Sequence, residues 1–288
     1  MAAMNDHSVW YIGLIVISVT LLLFTYFKSG NKRSVLLYFG MSGLGYGIEY
    51  VIFILFGCYS YEPRLIRDKP YYDELAGAIV SNAMILPAIA VAIAVFRKRW
   101  IPILAAIAAM SAVEWFFIRI GIYKHYWWRT WYTSIGLVFY FWAAKLWFAR
   151  IMRPQRGFIH AVTIMIIQWA FTSPQALEII LLAGRDYNVH WFGSREHDNI
   201  AFSSTYCIAI CVFFTGLLLQ RGGTRWLIYV LGPAAVLGVD GILAASGILL
   251  SRGWWDFAYR FVTMFLMLLA GDAINRHLRK GPPAKAWR

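Results

Sequence analysis

Apolar runs of about 20 residues recur along the whole chain, and short polar segments separate them. Nine runs can be distinguished, at residues 9–27, 35–58, 75–96, 101–122, 132–149, 158–183, 200–219, 226–250 and 257–273. Because an α-helix rises 1.5 Å per residue, a run of about 20 residues crosses the ~30 Å hydrocarbon core of a bilayer. The pattern therefore predicts an all-α, polytopic integral membrane bundle of about nine transmembrane helices.

The composition agrees with a membrane protein. Of the 288 residues, 60% are hydrophobic and 14% are charged, whereas soluble domains have roughly half and a quarter. No long hydrophilic segment is left for a soluble domain. We predict one continuous membrane domain, with a five-helix unit at residues 1–150 and a four-helix extension at residues 151–288 that ends in a short basic tail.

The net charge of +13 comes from basic residues that cluster after the odd-numbered runs. They are Lys28, Lys32, Arg33, Arg97, Lys98, Arg99, Arg150, Arg153, Arg156, Arg221 and Arg225, with Arg276, Arg279, Lys280, Lys285 and Arg288 in the tail. By the positive-inside rule these segments are cytoplasmic. We therefore predict a multi-pass protein of the cell membrane with its N-terminus outside and its C-terminus in the cytoplasm, and no nucleic-acid partner.

Four acidic residues recur at regular spacing within or at the end of the even-numbered runs. They are Glu49, Glu114, Glu178 and Asp240. Their separations are 65, 64 and 62 residues, and a glycine follows each of them after six to eight positions. These glycines are Gly57, Gly121, Gly184 and Gly247. The spacing predicts helical-hairpin repeats of about 64 residues, with the ninth helix as an addition, while chance similarity between apolar helices is the alternative.

The depth of these acids makes them candidates for a functional site. Glu114 lies 15 residues beyond Arg99 and Asp240 lies 15 beyond Arg225, which is about 22 Å along an ideal helix. A carboxyl at membrane depth costs about 2.5 to 3.5 kcal/mol on insertion scales, so such residues usually face the bundle interior. Glu114 and Asp240 are the preferred catalytic acids, and Glu49 and Glu178 are further candidates. The structural alternative for each is a protonated acid bonded to a neighbouring helix.

Aromatic residues gather in the loops at the same end of the predicted helices. The candidates for substrate binding are Tyr123, Trp127, Trp128, Tyr132, Trp254 and Trp255. Tryptophan and tyrosine form interfacial belts in many membrane proteins. The same rings would stabilise a carbocation or a quaternary ammonium group by roughly 0.5 to 2 kcal/mol each.

Other motifs give little support to metal or nucleotide chemistry. The loop HWFGSREHDN contains His190, Glu196, His197 and Asp198, but their spacing matches no compact metal motif. The chain has no P-loop, no dinucleotide fingerprint and no Gly-x-Ser-x-Gly elbow. We therefore predict no metal and no cofactor.

Two stretches carry a resemblance to a known family. YSYEPRLIRDKPYYDELAGAIVSNAMILP and EWFFIRIGIYKHYWWRTWYTSIGL resemble a family of small five-helix membrane proteins from endospore-forming Firmicutes that has no established function. The resemblance covers residues 1–150 and implies a membrane location and a bacterial source, but no reaction. Residues 151–288 depart from the family pattern by adding four helices.

A second resemblance concerns the acids and the residues that follow them. Glu49 is followed by GCYSY and Glu114 by GIYKHY, an arrangement similar to that of integral membrane carotenoid and meroterpenoid cyclases. This resemblance implies a membrane carboxylic acid that protonates an alkene or epoxide, with aromatic residues along the path of the cation. The Pro-Glu-Glu signature of the lycopene cyclases is absent from the chain.

Three classes of function fit these observations. The preferred one is a membrane-embedded, acid-catalysed enzyme that acts on an isoprenoid or another lipid, because a carboxyl removed from water favours its protonated form. A proton-coupled transporter or lipid flippase would use the same acids, with kinks at Pro87, Pro174 and Pro233 permitting motion. A non-catalytic lipid-binding or assembly protein would use Gly43 and Gly47 for helix packing. A closed apolar pocket that holds two acids would favour the enzyme, a wet path with a gate would favour transport, and acids packed singly would favour a structural role.

Overall fold

The computed structural model describes residues 6–66, 68–182, 184–220 and 225–281, and nine helices in these ranges are long and apolar enough to cross a membrane. They are α1 (Asp6–Ser29), α2 (Arg33–Leu55), α3 (Pro70–Val95), α4 (Trp100–Arg119), α5 (Thr130–Ile151), α6 (Gly157–Leu181), α7 (Arg195–Leu219), α8 (Arg225–Ala245) and α9 (Trp254–Lys280). The predicted all-α, multi-pass membrane fold is confirmed. Three residues of the predicted basic segments, Arg221, Lys285 and Arg288, lie outside the described residues.

Two helices change their hydrogen-bonding pattern within the membrane. Helix α2 is α-helical over Arg33–Glu49 and π-helical over Tyr50–Leu55. Helix α3 contains a π-helical segment at Ile79–Ile85. π-Helical segments are rare and occur frequently at functional sites, because the wider turn redirects side chains and leaves backbone carbonyl groups available. The periodicity of the sequence did not predict either segment.

Short strands follow the even-numbered helices in the described part of the chain. They are β1 (Tyr59–Tyr61), β2 (Tyr123–His125), β3 (Arg185–Tyr187) and β4 (Leu249–Ser251). Strand β1 pairs antiparallel with β2, and β3 pairs antiparallel with β4. The sequence analysis placed these residues in loops or helix ends, because three residues are too few to show the alternation of a strand.

The chain divides into two compact units, and the division falls between Arg153 and Pro154. In the first unit, α3 packs against α1, α2 and α5, and α4 packs against α5. In the second unit, α6 packs against α7, and α9 contacts α6 and α8. Each unit contains one of the two strand pairs, so each pair connects helical hairpins of its own unit.

The strands recur with the spacing of the acids. Strands β1 to β4 begin at intervals of 64, 62 and 64 residues. Each even-numbered helix is joined to the next helix through a strand, which leaves α1, and not the predicted α9, outside the recurring pattern. Gly57, Gly121 and Gly247 each lie two residues before a strand and have φ angles of 53°, 76° and 74°. This left-handed conformation ends the helix and favours glycine. Gly184 instead directly precedes β3.

The number of residues between each acid and the strand that follows it shows which acids occupy equivalent positions. Glu114 and Asp240 both lie nine residues before the first residue of a strand. Glu49 lies ten residues before β1, and the π-helical segment after it accommodates the extra residue. Glu178 lies only seven residues before β3, and Ala176 occupies the nine-residue position there. Three of the four acids therefore share one position, and Glu178 does not.

Candidate functional site

A cavity of about 170 Å³ lies inside the first unit. Helices α2, α3, α4 and α5 and both strands contribute to its walls. Its polar lining includes Glu49, Glu114, Ser81, Asn82 and Thr133. Its aromatic lining consists of Tyr59, Tyr61, Phe117, Tyr123, Trp128, Tyr132 and Tyr140. Two of the predicted acids and three of the predicted aromatic residues, Tyr123, Trp128 and Tyr132, therefore line one space.

Glu49 is buried in the wall of this cavity, with 4% of the residue exposed. The hydroxyl of Tyr59 donates to its Oε1 atom at 2.5 Å, and Nδ2 of Asn82 donates to the same oxygen at 2.5 Å. Within the described residues, Oε2 has no hydrogen-bond partner. Both donors are neutral groups, so the charge of an ionised Glu49 would have no counterion among its hydrogen-bond partners.

This arrangement distinguishes the two oxygens of Glu49. An oxygen that accepts two hydrogen bonds has no room for a proton of its own, so Oε1 takes the place of the carbonyl oxygen in a protonated carboxyl group. The proton then belongs to Oε2. Glu49 can therefore present an acidic hydrogen while Tyr59 and Asn82 hold its orientation.

The tyrosine that holds Glu49 is itself kept in its neutral form. Burial raises the pKa of Tyr59 well above its ordinary value, and the charge of Glu49 raises it further. Burial likewise raises the pKa of Tyr61 and of Tyr123, two neighbours in the strand pair. These three tyrosines therefore keep their hydroxyl hydrogens. They can donate hydrogen bonds to neighbouring side chains or to a molecule in the cavity.

The π-helical segment of α3 determines where Asn82 lies. The hydroxyl of Ser42 on α2 donates to the backbone oxygen of Ala83 at 2.8 Å and so satisfies a carbonyl group of this segment. Gly45 lies against the same stretch, and a Cβ atom built there would be 2.1 Å from the backbone oxygen of Asn82. Only glycine permits this close approach of α2 and α3, which brings the Asn82 amide to Glu49.

Glu114 has a different type of partner. Its Oε1 atom lies 2.9 Å from Nε2 of His125, which is an ion-pair distance, although the two groups are not aligned as a hydrogen bond. The side chain of Glu114 is 9% exposed and that of His125 is 13% exposed. The cavity thus contains one carboxyl held by neutral donors and a second carboxyl beside a titratable base.

Asp240, the acid at the corresponding position of the second unit, is bonded to a charged partner. Asp240 is fully buried and accepts a hydrogen bond from Nη2 of Arg185 at 2.9 Å and one from the Tyr206 hydroxyl at 2.8 Å. Arg185 also binds both oxygens of Asp256, with Nε at 3.0 Å and 3.2 Å. Nε of Arg260 lies 3.8 Å from Oδ2 of Asp240. Asp240 is therefore part of a buried network of charged groups.

Burial alone would lower the pKa of Arg185, but the charges of Tyr187 and Asp240 and the hydrogen bonds to Asp240 and Asp256 together more than offset this effect. The pKa of Arg185 is raised as a result, and the guanidinium stays charged. Asp240 is therefore paired with a permanent cation. The network accounts for Asp240 as a stabilising group, although the sequence analysis preferred it as a catalytic acid.

The remaining candidates lie outside the cavity. Glu178 is exposed and accepts a hydrogen bond from the Tyr259 hydroxyl at 2.8 Å. Trp127 is 51% exposed and does not belong to the cavity lining. Trp254 is 84% exposed in the second unit, and Trp255 packs there against Gly184.

The segment HWFGSREHDN, at residues 190–199, is held by contacts between its own residues. Asp198 accepts the backbone N–H of Phe192 at 2.7 Å, and the ring of His197 stacks on Phe192 with a centroid distance of 3.7 Å. Over the ranges that the structure describes, no three His, Cys, Asp or Glu side chains are placed to hold a metal ion.

Three residues of the site, Tyr59, Asn82 and His125, were not predicted from the sequence. Asn82 could have been recognised from the sequence pattern, because Ser81 and Asn82 form a polar pair inside the apolar run AIVSNAMILP. Tyr59 and His125 each follow a repeat glycine, by two and four residues respectively. Their roles depend on strand pairing, which the sequence pattern did not show.

Comparison of the chain with protein-family models, with curated proteins and with solved structures finds no match. Both family resemblances therefore stay predictions.

Proposed function

We propose that the first unit is a membrane-embedded acid catalyst that protonates an alkene or epoxide of an isoprenoid-like lipid, in the manner of a terpene cyclase. The hydrogen bonding of Glu49 carries this proposal: Tyr59 and Asn82 both donate to Oε1, and Oε2 has no partner within the described residues. A general acid needs this arrangement, because its proton must be directed at the substrate and not at the protein.

The first chemical step follows from this geometry. The Oε2–H bond of Glu49 breaks, and the π electrons of the alkene form a new C–H bond with the proton. The other alkene carbon becomes a carbocation, and Glu49 becomes a carboxylate. Tyr59 and Asn82 remain bonded to that carboxylate and stabilise its charge. With an epoxide, the proton binds the ring oxygen and a C–O bond breaks.

The walls of the cavity suit a cation that migrates along a hydrocarbon. The rings of Tyr59, Tyr61 and Tyr123 pack together, with centroid distances of 4.8 to 5.5 Å. Aromatic faces stabilise positive charge without forming a covalent bond to it. Seven of the other lining residues are leucine, isoleucine or valine, such as Ile48, Ile52 and Leu86, which favours a hydrophobic substrate over an ion that must cross the membrane.

The distribution of basic residues supports a location in the cell membrane, with the N-terminus outside and the C-terminus in the cytoplasm. In this orientation strands β1 and β2 lie at the outer end of the bundle. A lipid would reach the cavity from the bilayer in which the protein is embedded.

Deuterium transfer from the solvent tests this proposal without knowledge of the product. The purified protein in liposomes would be incubated in D₂O with a panel of polyprenyl alkenes and their epoxides, and the extracted lipids would be analysed by mass spectrometry. We expect deuterium to appear in at least one lipid. Glu49→Gln should reduce the incorporation by about 100-fold or more, with an unchanged melting temperature.

A matched control uses a glutamate of the same unit that lies outside the cavity. Glu62 forms an exposed ion pair with Lys124, so Glu62→Gln should incorporate deuterium as the wild type does. Full incorporation in the Glu49→Gln variant would exclude Glu49 as the acid. No incorporation by the wild type into any lipid of the panel would count against acid catalysis on alkenes and epoxides.

A further inference from the structure

We infer that Glu114 and His125 together accept the proton that ends the reaction, so that the cavity both donates and removes a proton. This inference rests on the proposed function. It assigns separate roles to the two carboxyls of the cavity and predicts that the product is an alkene, an isomer of the substrate.

The two carboxyls have opposite surroundings within the same cavity. Glu49 is held by a hydroxyl and an amide, whereas Glu114 lies 2.9 Å from an imidazole nitrogen. When two titratable groups share a site, the one with neutral donors suits the acid, and the one beside a base suits the proton acceptor. A carboxylate at Glu114 would also attract the carbocation toward it.

The strand pair places the two groups next to each other. Tyr59 is the cross-strand partner of His125 in the β1–β2 ladder. Tyr59 contacts Glu49, and His125 contacts Glu114. Tyr123, which lines the cavity, packs its ring against that of His125 with a centroid distance of 5.0 Å. The acid and the acceptor are thus anchored to the same small sheet on opposite strands.

The step balances in atoms and charge. A C–H bond beside the cationic carbon breaks, and its electron pair forms the new C=C bond. The proton passes to Glu114, and it can remain there or move to Nε2 of His125, since both placements carry the same number of protons. One proton has left Glu49 and one has reached the pair, so a return of that proton to Glu49, directly or by exchange with water, restores the site.

The equivalent positions of the second unit hold a different set of residues. The residue that corresponds to Glu114 is Asp240, which is bonded to Arg185, and the residue opposite Arg185 on β4 is Ser251. Arg185 therefore occupies the strand position of Tyr59, and Ser251 occupies that of His125. Of these two equivalent carboxyls, Glu114 lies beside an imidazole and Asp240 beside a guanidinium, so the proton acceptor is assigned to the first unit.

The test compares the products of the wild type with those of two variants. In the wild type, we expect the product to have the mass of the substrate. In the Glu114→Gln variant, Glu49 still forms the carbocation, but the C–H proton beside the cationic carbon has lost the acceptor assigned to it. Water then adds to the cationic carbon in a larger share of turnovers, and that product gains the mass of one water molecule. The ratio of alcohol to alkene should rise about tenfold or more. His125→Gln should shift the ratio in the same direction.

The controls separate failure of this inference from failure of the proposed function. Glu49→Gln should abolish both products, and Glu62→Gln should leave the ratio unchanged. An unchanged ratio in Glu114→Gln, or a loss of all product like that of Glu49→Gln in a folded protein, would overturn the assignment of the acceptor while leaving the acid in place. If Glu114→Gln does not fold, the ratio in His125→Gln decides. A wild type without any product overturns both proposals.

Discussion

Tyr59 and His125 face each other across the β1–β2 ladder, and each contacts a different carboxyl of one cavity. The Tyr59 hydroxyl bonds Glu49 at 2.5 Å, and Nε2 of His125 lies 2.9 Å from Glu114. A sheet of two three-residue strands thereby fixes the partners of both acids. Because strand pairing sets which residues lie opposite each other, the ladder determines the chemistry of the site.

The Tyr59→Phe variant tests the support of the acid. It removes one of the two donors to Oε1 of Glu49 and keeps the ring. A hydrogen bond to a charged group contributes about 1.5 to 3 kcal/mol, so deuterium incorporation should slow by roughly 10- to 100-fold. Tyr126→Phe is the control, because Tyr126 bonds Ser60 and is 62% exposed. Equal rates in the two variants would contradict a role for the Tyr59 hydroxyl.

Gly45→Ala tests the close packing of α2 against α3. The new methyl group would lie 2.1 Å from the backbone oxygen of Asn82, so the helices must move apart. We expect a loss of about 1 to 3 kcal/mol in stability, measured by thermal unfolding in detergent. Gly13→Ala is the matched control in α1, where a Cβ atom built on the glycine has no atom of the described residues within 4 Å, apart from the backbone of its own helix turn. There alanine should be neutral or stabilising, because it favours the helix by about 1 kcal/mol.

Arg185→Met tests the charged network of the second unit. The change leaves Asp240 and Asp256 buried without their main cation. Removing one partner from a buried ion pair costs about 3 to 5 kcal/mol, so the melting temperature should fall markedly. Arg252 binds Asp186 with a side chain that is 54% exposed, so Arg252→Met should cost less than about 1 kcal/mol. Similar losses of stability in both variants would show that the buried network contributes no more to stability than the exposed ion pair does.

The predicted orientation can be tested with single cysteines in a background that lacks the native ones. Lys98 follows α3 and Lys124 lies in β2, and both are exposed. By the positive-inside rule, Lys124→Cys should react with a membrane-impermeant maleimide in intact cells. Lys98→Cys should react only after permeabilisation. The opposite result would place the N-terminus in the cytoplasm.

Much of this protein was determined by the sequence alone. The apolar runs predicted nine membrane-spanning helices, because crossing a hydrocarbon layer requires about 20 apolar residues whatever the fold. The regular spacing of four acids, Glu49, Glu114, Glu178 and Asp240, predicted that they occupy equivalent positions. The strands place Glu49, Glu114 and Asp240 at one position, but not Glu178. Helix ends were harder to predict, since the strands after α2, α4, α6 and α8 are too short to have a recognisable pattern.

Only the tertiary structure decided what each acid does. Glu114 and Asp240 lie equally far from their strands, yet one contacts His125 and the other contacts Arg185. Asn82 reaches Glu49 because a π-helical segment turns it there and Gly45 admits its backbone. The charge and reactivity of a buried carboxyl depend on the groups within a few ångströms of it, and residues distant in the chain supply those groups.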